Sequence, residues 1–405
     1  MKKVKLICVT GDNNNKFYNM EEQADGTFHA KYGRVGGRET VEVYPMSKWD
    51  TIYRKKTDRK DKPYRDVTEL FVETKTSATH KEISSSIIRR LIGDLQKFAK
   101  QSVADNYTVS SAAVTEKQVD QAQVIIDRLA GLTHEGESIK AINQLLIDLY
   151  STIPRKLKHV KEHLVQNGTN TIINRGNIDF LKSVITLEQQ TLDVMRGQVQ
   201  TPISEDDERS TILESLGLEA FEIDDEEKAN IIKHLGDSSQ HFKSAIRLVN
   251  ERTQGAFENT ISQATDKTKK LFWHGSRNEN WFNIVNTGLL IRPSNAISTG
   301  AMFNEGIYFA PKARKSIGYT SLEHSYWARG NAKTSFLAVY NVHIGNPLHL
   351  RSGDSFNHAT NYNWLHKQGY NSVWAHEGHS HLRNDEVIVY SKEQCTIKYL
   401  VEIKA

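Results

Sequence analysis

Three short apolar stretches with polar residues inside them decide how this chain is interpreted. The first is Leu271-Phe-Trp-His-Gly-Ser-Arg277, the second is Gly306-Ile-Tyr-Phe-Ala310, and the third is Asn384-Asp-Glu-Val-Ile-Val-Tyr390. Apolar and aromatic runs of this length predict β-strands. The polar residues that these strands carry are His274, Tyr308 and Glu386.

Together these residues resemble the catalytic domain of the poly(ADP-ribose) polymerases. The resemblance implies a mainly antiparallel β domain that takes ADP-ribose from NAD+, passes it to an acceptor and releases nicotinamide. A single His on a strand is more often structural, and a buried Tyr is usually part of a core. The order and spacing of the three residues, with matching flanking sequence, favour a site over three unrelated structural residues.

NAD+ is expected here as a substrate that is consumed. Gly33, Gly36 and Gly37 lack the spacing of a dinucleotide-binding loop, and there is no Walker loop. When the bond to nicotinamide breaks, positive charge develops on the ribose, and a carboxylate placed against the ribose stabilises that charge. By resemblance, Glu386 hydrogen-bonds a hydroxyl of the nicotinamide ribose and helps to orient and activate the incoming acceptor hydroxyl.

The resemblance assigns further residues to holding NAD+. Three residues are assigned to the adenosine ribose: His274, Ser276 and Asn280. Two groups are assigned to the nicotinamide carboxamide: the backbone of Gly275 and the hydroxyl of Ser316. Two rings are expected to sandwich the flat, electron-poor nicotinamide: Tyr308 and Tyr319. Two more residues occupy family positions: Ala310 and Lys315.

The sequence also departs from the family pattern. Leu290 stands where many relatives have Arg, and Arg292, on the same face of a strand, is expected to replace that Arg. Ala301 replaces a frequent Tyr, which weakens one wall of the nicotinamide pocket. Asn384 replaces a Tyr that helps to bind the acceptor chain, so polymer length and branching stay open. Residues 376–381 are rich in His, but short His-rich loops often bind nothing, and no metal is predicted.

Residues 1–78 are predicted to form a small β-rich domain. The segments Asn15-Lys-Phe-Tyr18 and Lys31-Tyr-Gly-Arg-Val-Gly36 resemble the DNA-sensing WGR domain, named for Trp-Gly-Arg. Tyr32 occupies the Trp position and keeps an aromatic face that could stack on a sugar or base. By resemblance, Arg34 links this domain to its neighbours.

The formal charge excess of the chain lies in its first fifth. Residues 1–80 contain 16 Lys+Arg and 12 Asp+Glu, and residues 54–65 contain seven basic residues in twelve. Such clusters attract phosphate, although a solvated face or a flexible loop is an alternative explanation. The residues predicted to bind DNA are Tyr32, Arg34, Arg54, Lys55, Lys56, Arg59 and Lys60.

Residues 82–255 are predicted to be helical. Thr115 and Gln118 form a capping-box pattern, and apolar residues then recur on one helix face from Val119 to Leu129. Residues 226–249 are also expected to be helical. The order of segments resembles the regulatory domain that, in the family, blocks access of NAD+ until DNA binding loosens it.

The composition excludes several classes of protein. The chain has 405 residues, enough for two or three domains, and its mean hydropathy is −0.56 with no apolar run of membrane-spanning length. Cys8 and Cys395 are its only cysteines, which excludes a disulfide framework and favours a reducing compartment. We expect a soluble intracellular protein, located in the nucleus if eukaryotic and in the cytoplasm or nucleoid if bacterial.

These observations predict an α+β, multidomain protein. Its parts are a small β-rich WGR-like domain (1–78), an all-α regulatory bundle (82–255) and a mainly antiparallel β ADP-ribosyltransferase domain (256–405). The expected partners are NAD+, DNA with strand breaks and acceptor proteins, with the chain itself as one candidate acceptor. Two alternatives are a mono-ADP-ribosyltransferase of the same fold and a DNA-break-binding protein with an inactive transferase.

Overall fold

A computed structural model describes residues 1–68, 80–108, 114–166, 171–200, 207–291, 302–357 and 360–405. These residues fold into two compact units. The first contains the described residues of 1–76 and 101–200, and the second contains those of 77–100 and of the C-terminal half of the chain. Arg292 and Ala301 lie outside the described residues. Among the described residues, no helix combines the length and the apolar character that crossing a membrane requires.

A five-stranded antiparallel sheet opens the first unit. Its strands are β1 (Lys3–Thr10), β2 (Asn14–Glu22), β3 (Thr27–Arg34), β4 (Glu39–Pro45) and β5 (Arg65–Asp66), and helix α1 (Trp49–Thr57) packs on it. The strand order is β4-β3-β2-β1-β5. Alternate side chains point into a core that includes Leu6, Met20, Phe28 and Trp49. The predicted N-terminal strands are confirmed.

Helices form the rest of the first unit and continue into the second. They are α2 (Ser86–Asn106), α3 (Glu116–Gly131), α4 (Ile139–Thr152) and α5 (Arg175–Gln200). Thr115 and Gln118 form the predicted capping box at the start of α3, and the apolar stripe of α3 is buried. The predicted helical middle region is therefore confirmed, although the residues of α2 up to Lys100 belong to the second unit.

A buried ion pair lies in the helical bundle of the first unit. Arg155 Nη2 is 3.0 Å from Glu188 Oε1 on α5, and the two side chains are only 5% and 3% exposed. Burial raises the pKa of Glu188, and Arg155 opposes this shift. Nε of Arg155 has no partner among the described residues. The hydrogen bonds to water that these two charged groups lose on burial are therefore only partly replaced within the protein.

The second unit is built on two sheets and a short parallel pair. Its strands are β6 (His80–Lys81), β7 (Asp207–Thr211), β8 (Leu218–Glu222), β9 (Phe242–Asn250), β10 (Lys269–Gly275), β11 (Ile307–Phe309), β12 (Thr334–His343), β13 (Pro347–Leu350), β14 (Ser372–Ala375), β15 (Glu386–Val389) and β16 (Cys395–Lys404). Its other helices are α6 (Ile212–Ser215), α7 (Asp225–Leu235), α8 (Glu251–Gln263), α9 (Trp281–Thr287), α10 (Ala313–Ile317) and α11 (Tyr362–Lys367).

The two sheets meet beside the candidate site. The first has the order β10-β12-β16-β9-β8 and is antiparallel, and the second has the order β11-β15-β14-β13 with only β13 and β14 parallel. A backbone bridge between Trp273 and Ala310 joins β10 to β11. This bridge brings the strand with His274 next to the strand with Tyr308.

The helical prediction for residues 226–249 was wrong in its second half. Helix α7 ends before Gly236, which has a φ of 56°, and the chain then enters strand β9. In β9, buried Ala245, Ile246 and Leu248 pack into the sheet. Strands β8 and β9 therefore belong to the C-terminal sheet, although the sequence analysis placed them in the helical domain 82–255. The exact domain boundaries stay predictions.

The first half of α2 is fixed to the C-terminal sheet by a buried carboxylate. Glu402 on β16, whose side chain is 2% exposed, accepts hydrogen bonds from Arg90 at 2.8 Å, from Lys243 at 2.8 Å and from Ser244 at 2.7 Å. Hydrogen bonds from these donors, Arg90 first, hold the pKa of Glu402 below its usual range although burial opposes them. Residues 80–100 are therefore structural neighbours of the sheet that carries the site.

Candidate active site

His274 lies near the end of β10, and its ring is fixed by a backbone carbonyl and by aromatic neighbours. Its Nδ1 is 2.9 Å from the carbonyl oxygen of Tyr308, and the rings of Trp281, Phe309 and Tyr340 surround it edge-on. Burial lowers the pKa of His274, so the imidazole is neutral at neutral pH. Because Nδ1–H donates to the carbonyl, Nε2 is left as an acceptor for a ligand hydroxyl.

Tyr308 lies in the middle of β11, opposite Ile388 of β15. Its hydroxyl donates to the carbonyl of Asn304 at 2.7 Å and accepts from the amide of Phe303 at 2.9 Å. These two bonds fix the orientation of the ring. Tyr308 thus connects the predicted His274 strand with the strand of Glu386.

Glu386 is the first residue of β15 and is 7% exposed. Its Oε1 lies 2.6 Å from Nζ of Lys315, which also donates to the carbonyl of Asn384 at 3.1 Å. Its Oε2 is buried and has no hydrogen-bond partner among the described residues. A buried acceptor without a partner is unfavourable, so this oxygen is ready for a donor from a ligand.

Burial and the charge of Glu386 both raise the pKa of two tyrosine hydroxyls. Burial is the larger cause in each case, and it raises the pKa of Tyr319 to about 12, while the pKa of Tyr308 also rises. Both phenols therefore lie within Coulombic reach of the carboxylate. The structure brings the two predicted ring-stacking residues and the predicted catalytic carboxylate together.

The predicted carboxamide-binding groups also lie together. A Cβ added to Gly275 would come within 1.9 Å of the backbone oxygen of Ser316, so only glycine allows β10 to approach α10 this closely. Ser316 is 4% exposed. Next to them, Asn280 Nδ2 donates to Ser276 Oγ at 3.0 Å, so the two residues predicted to share the adenosine ribose contact each other.

Trp327 is a residue of this region that the sequence analysis missed. Its ring stacks on Tyr319, with centroids 6.1 Å apart and an angle of 18° between the planes. Its amide donates to the carbonyl of Gly318. Trp327 covers part of Tyr319 although it is itself 61% exposed. A Trp in a loop gave no sequence signal that distinguished it from a surface residue.

Some of the cations predicted to bind DNA are exposed, and others pair with a carboxylate or lie over aromatic rings. Arg54, Lys55 and Lys60 are exposed, whereas Arg59 pairs with Asp61. Lys56 lies over the rings of three tyrosines, at 4.0 Å from Tyr18, 5.5 Å from Tyr64 and 5.8 Å from Tyr32. Burial lowers the pKa of Lys56. The sequence did not indicate that Lys56 would be held by aromatic rings.

Tyr32 and Arg34 are also engaged. Tyr32 stacks on Tyr18 with ring centroids 5.3 Å apart and donates to Glu42 at 2.8 Å, so one face of its ring is covered. Arg34 donates to the carbonyl of Asn13 at 3.0 Å and to that of Lys158 at 2.6 Å. Arg34 thus joins the N-terminal sheet to the segment after α4.

Metal-binding residues are not grouped in the described part of the chain: no three His, Cys, Asp or Glu side chains there are arranged to hold an ion. His376 and His379 from the His-rich segment instead hydrogen-bond within the protein, to Asp385 and to the carbonyl of Arg351.

Comparison with known proteins identifies the family of the C-terminal region. A family model described as the poly(ADP-ribose) polymerase catalytic domain matches residues 225–405. The chain is 31% identical over 185 residues to the poly [ADP-ribose] polymerase-like protein 100L of Invertebrate iridescent virus 6; the match covers 44% of this chain and 96% of the viral protein. The chain belongs to the family of the poly(ADP-ribose) polymerase catalytic domain.

Two further relatives extend the family comparison. Protein 101L of the same virus is 33% identical over 209 residues, which cover 52% of this chain and 82% of that protein. Poly [ADP-ribose] polymerase 2-A of Oryza sativa subsp. japonica is 23% identical over 435 residues, which cover 94% of this chain and 63% of the rice protein. The family is therefore shown for the C-terminal region, while the WGR-like and regulatory assignments stay predictions.

Proposed function

We propose that this chain is an ADP-ribosyltransferase that transfers ADP-ribose from NAD+ to acceptor proteins, extends it into poly(ADP-ribose) and releases nicotinamide. The observation that carries this proposal is the state of Glu386. One of its carboxylate oxygens is fixed by Lys315, and the other is buried with no hydrogen-bond partner in the described part of the chain. A carboxylate held in this way suits the stabilisation of a cationic ribose.

The reaction breaks the bond between C1′ of the ribose and the nicotinamide nitrogen. The electron pair of that bond stays with the nitrogen, so nicotinamide leaves as a neutral ring. Oε2 of Glu386 accepts a hydrogen bond from a hydroxyl of the nicotinamide ribose as positive charge develops. The acceptor oxygen then bonds to C1′, and its proton passes to Glu386 or to solvent. Because Glu386 acts on charge that appears late in the reaction, its role is in rate more than in affinity.

The other residues bind and orient NAD+ in this proposal. Nε2 of His274 accepts from a hydroxyl of the adenosine ribose, near Ser276 and Asn280. The backbone of Gly275 and the hydroxyl of Ser316 hold the carboxamide. Tyr308 and Tyr319 hold the ring between them. The close approach of the Gly275 and Ser316 backbones supports this arrangement, because both residues are proposed to bind the same carboxamide.

Stimulation by DNA breaks is the second part of the proposal. The exposed cations Arg54, Lys55 and Lys60 supply phosphate contacts, and Arg34 connects the N-terminal sheet to the helical segment. The rice relative that matches 94% of this chain is named a poly [ADP-ribose] polymerase, which favours the same activity here. The helical bundle then acts as the gate that DNA binding loosens.

Incubation of the full chain with labelled NAD+, with and without nicked DNA, tests both parts. A ladder of products that grows with DNA supports the proposal. One sharp band indicates a mono-ADP-ribosyltransferase, which Asn384 at the predicted acceptor position favours. No label with intact DNA binding indicates an inactive transferase that only binds breaks.

The substitution Glu386→Gln makes this experiment specific. We expect a loss of at least about 100-fold in turnover, as for removal of one oriented electrostatic group. Binding of a benzamide-type nicotinamide mimic should change little. Glu305→Gln is the matched control, because Glu305 is an exposed carboxylate on the segment before Tyr308. Normal chain growth by Glu386→Gln would remove the catalytic assignment.

A further inference from the structure

A chain of hydrogen-bonded side chains crosses three strands and ends beside Glu386. Nδ1 of His349, on β13, is 2.8 Å from Nε2 of His376, which follows β14. Nδ1 of His376 is 3.2 Å from Oδ2 of Asp385, the residue before β15. The two imidazole rings are also stacked, 5.0 Å apart at 15°. The transferase chemistry described above does not use this chain of residues.

Asp385 is held by more donors than the histidine alone. Its Oδ2 also accepts from Nε1 of Trp374 at 2.8 Å, and its Oδ1 accepts from the amide of Glu377 at 2.9 Å. The ladder between β14 and β15 starts at the pair Ala375 and Glu386. The contacts of Asp385 therefore continue the attachment of β15 to β14 beyond the end of the ladder.

The residue on the other side of Asp385 is fixed as well. The side-chain oxygen of Asn384 accepts from Nε of Arg314 at 2.9 Å, and its carbonyl accepts from Lys315. The tripeptide from Asn384 to Glu386 is thus bound to α10 on one side and to the β14 segment on the other. A shift of Asp385 would move the start of β15, where the catalytic carboxylate is attached.

We propose that Asp385 is a positioning residue for Glu386, held in place by Trp374, by the amide of Glu377 and by His376, which is itself hydrogen-bonded to His349. The inference rests on the proposed function, because only turnover of NAD+ reports the orientation of Glu386. A displacement of about 1 Å at a reacting group can reduce the rate by about 100-fold, so a loosened segment has a measurable effect.

The test replaces Asp385 in the full chain, assayed with nicked DNA. Asp385→Asn leaves one acceptor oxygen for three donors and places an amide NH2 against another donor. We expect kcat to fall by about tenfold or more, as for loss of a group that orients a reactive residue, with unchanged binding of a benzamide-type ligand. Glu377→Gln is the matched control, because that exposed side chain lies on the same segment and should keep the parental rate.

The inference is overturned if Asp385→Asn keeps the parental kcat, or if it weakens binding of the benzamide-type ligand as much as it lowers kcat.

These outcomes are separate from failure of the transferase proposal. If the parental chain turns over no NAD+ with DNA present, the transferase function fails together with this kinetic role. If the parental chain is active but Asp385→Asn equals it, only the positioning role fails.

Discussion

Removal of the Lys315 ammonium should damage both the stability and the activity of the second unit. In Lys315→Met, the carboxylate of Glu386 loses the cation that lies 2.6 Å from Oε1. The two side chains are only 11% and 9% exposed, so water does not replace the ammonium. Leaving one partner of a buried ion pair alone typically costs about 3–5 kcal/mol of unfolding free energy.

A neighbouring lysine provides the matched control. Lys312 lies just before α10, is 58% exposed and is 3.9 Å from an equally exposed Glu377. Exposed pairs contribute about 0–1 kcal/mol, so Lys312→Met should change the unfolding free energy by less than 1 kcal/mol. The difference between the two lysines measures what burial adds to the ion pair.

The assay combines urea unfolding with turnover of NAD+. The relevant transition is the one that a benzamide-type ligand shifts to higher urea, because that ligand stabilises only the unit that binds it. Turnover by Lys315→Met should fall by about 100-fold, since the oriented carboxylate is displaced. In Lys315→Met/Glu386→Gln neither member of this buried pair carries a charge, so stability should recover while activity stays low.

The reasoning is refuted if Lys315→Met unfolds like Lys312→Met. It is also refuted if the double variant is no more stable than Lys315→Met, because the cost would then come from lost packing and not from an unpaired charge. Lys315→Arg keeps a cation at the same position and should be less damaging than Lys315→Met.

Three further predictions follow from the fold and the site. Glu188→Gln should lower the unfolding free energy of the first unit by about 3 kcal/mol or more, whereas Arg155→Met/Glu188→Leu should leave it equal or raise it, as measured by urea titration. A fragment of residues 207–405 should fold, bind a benzamide-type ligand and turn over NAD+ without DNA. A shorter fragment of residues 265–405 should be unfolded when measured by circular dichroism. The shorter fragment lacks α7 and β9, whose buried side chains contribute about 1.5–3 kcal/mol each. Burial lowers the pKa of His274, so NAD+ affinity should stay constant down to about pH 6.5 and fall at lower pH as His274 gains a proton. This pH dependence should be absent in His274→Gln. A loss of affinity that begins above about pH 7 would contradict the prediction.

The parts of the fold that follow local rules could be predicted from the sequence. The capping box at Thr115 and Gln118 needs only residues three positions apart, and the α3 stripe needs only the helical period. The helical prediction for residues 226–249 was wrong in its second half because, over a short window, the same apolar residues can match both the helical and the strand period. Pairing of β9 with β16, far along the chain, decides in favour of the strand.

The sequence predicted which residues belong to the candidate site better than it predicted the contacts between them. The resemblance placed His274, Tyr308 and Glu386 in one domain, and the structure shows the hydrogen bond from His274 to the Tyr308 carbonyl. The ion pair of Lys315 with Glu386 and the hold of His376 on Asp385 depend on how separate strands pack. No local pattern in the sequence reports such distances.

The same limit applies to the basic cluster. From the sequence, Lys56 was predicted to be one of the cations that contact phosphate. In the structure, its ammonium lies over three tyrosine rings. A lysine that is shared with aromatic neighbours must leave them before it can contact DNA. Arg54, Lys55 and Lys60 are exposed and are the better first targets for charge reversal.

The position of β16 has a consequence for how the protein reaches its native state. This strand lies between β12 and β9 at the centre of its sheet, yet it is the last strand of that sheet to be synthesised. Until it inserts, β12 and β9 each present an unpaired edge with many apolar side chains. Such edges favour aggregation of folding intermediates, so the yield of soluble protein should depend on temperature and on chaperones during synthesis. Loss of β16 would therefore be more harmful than loss of the edge strand β8.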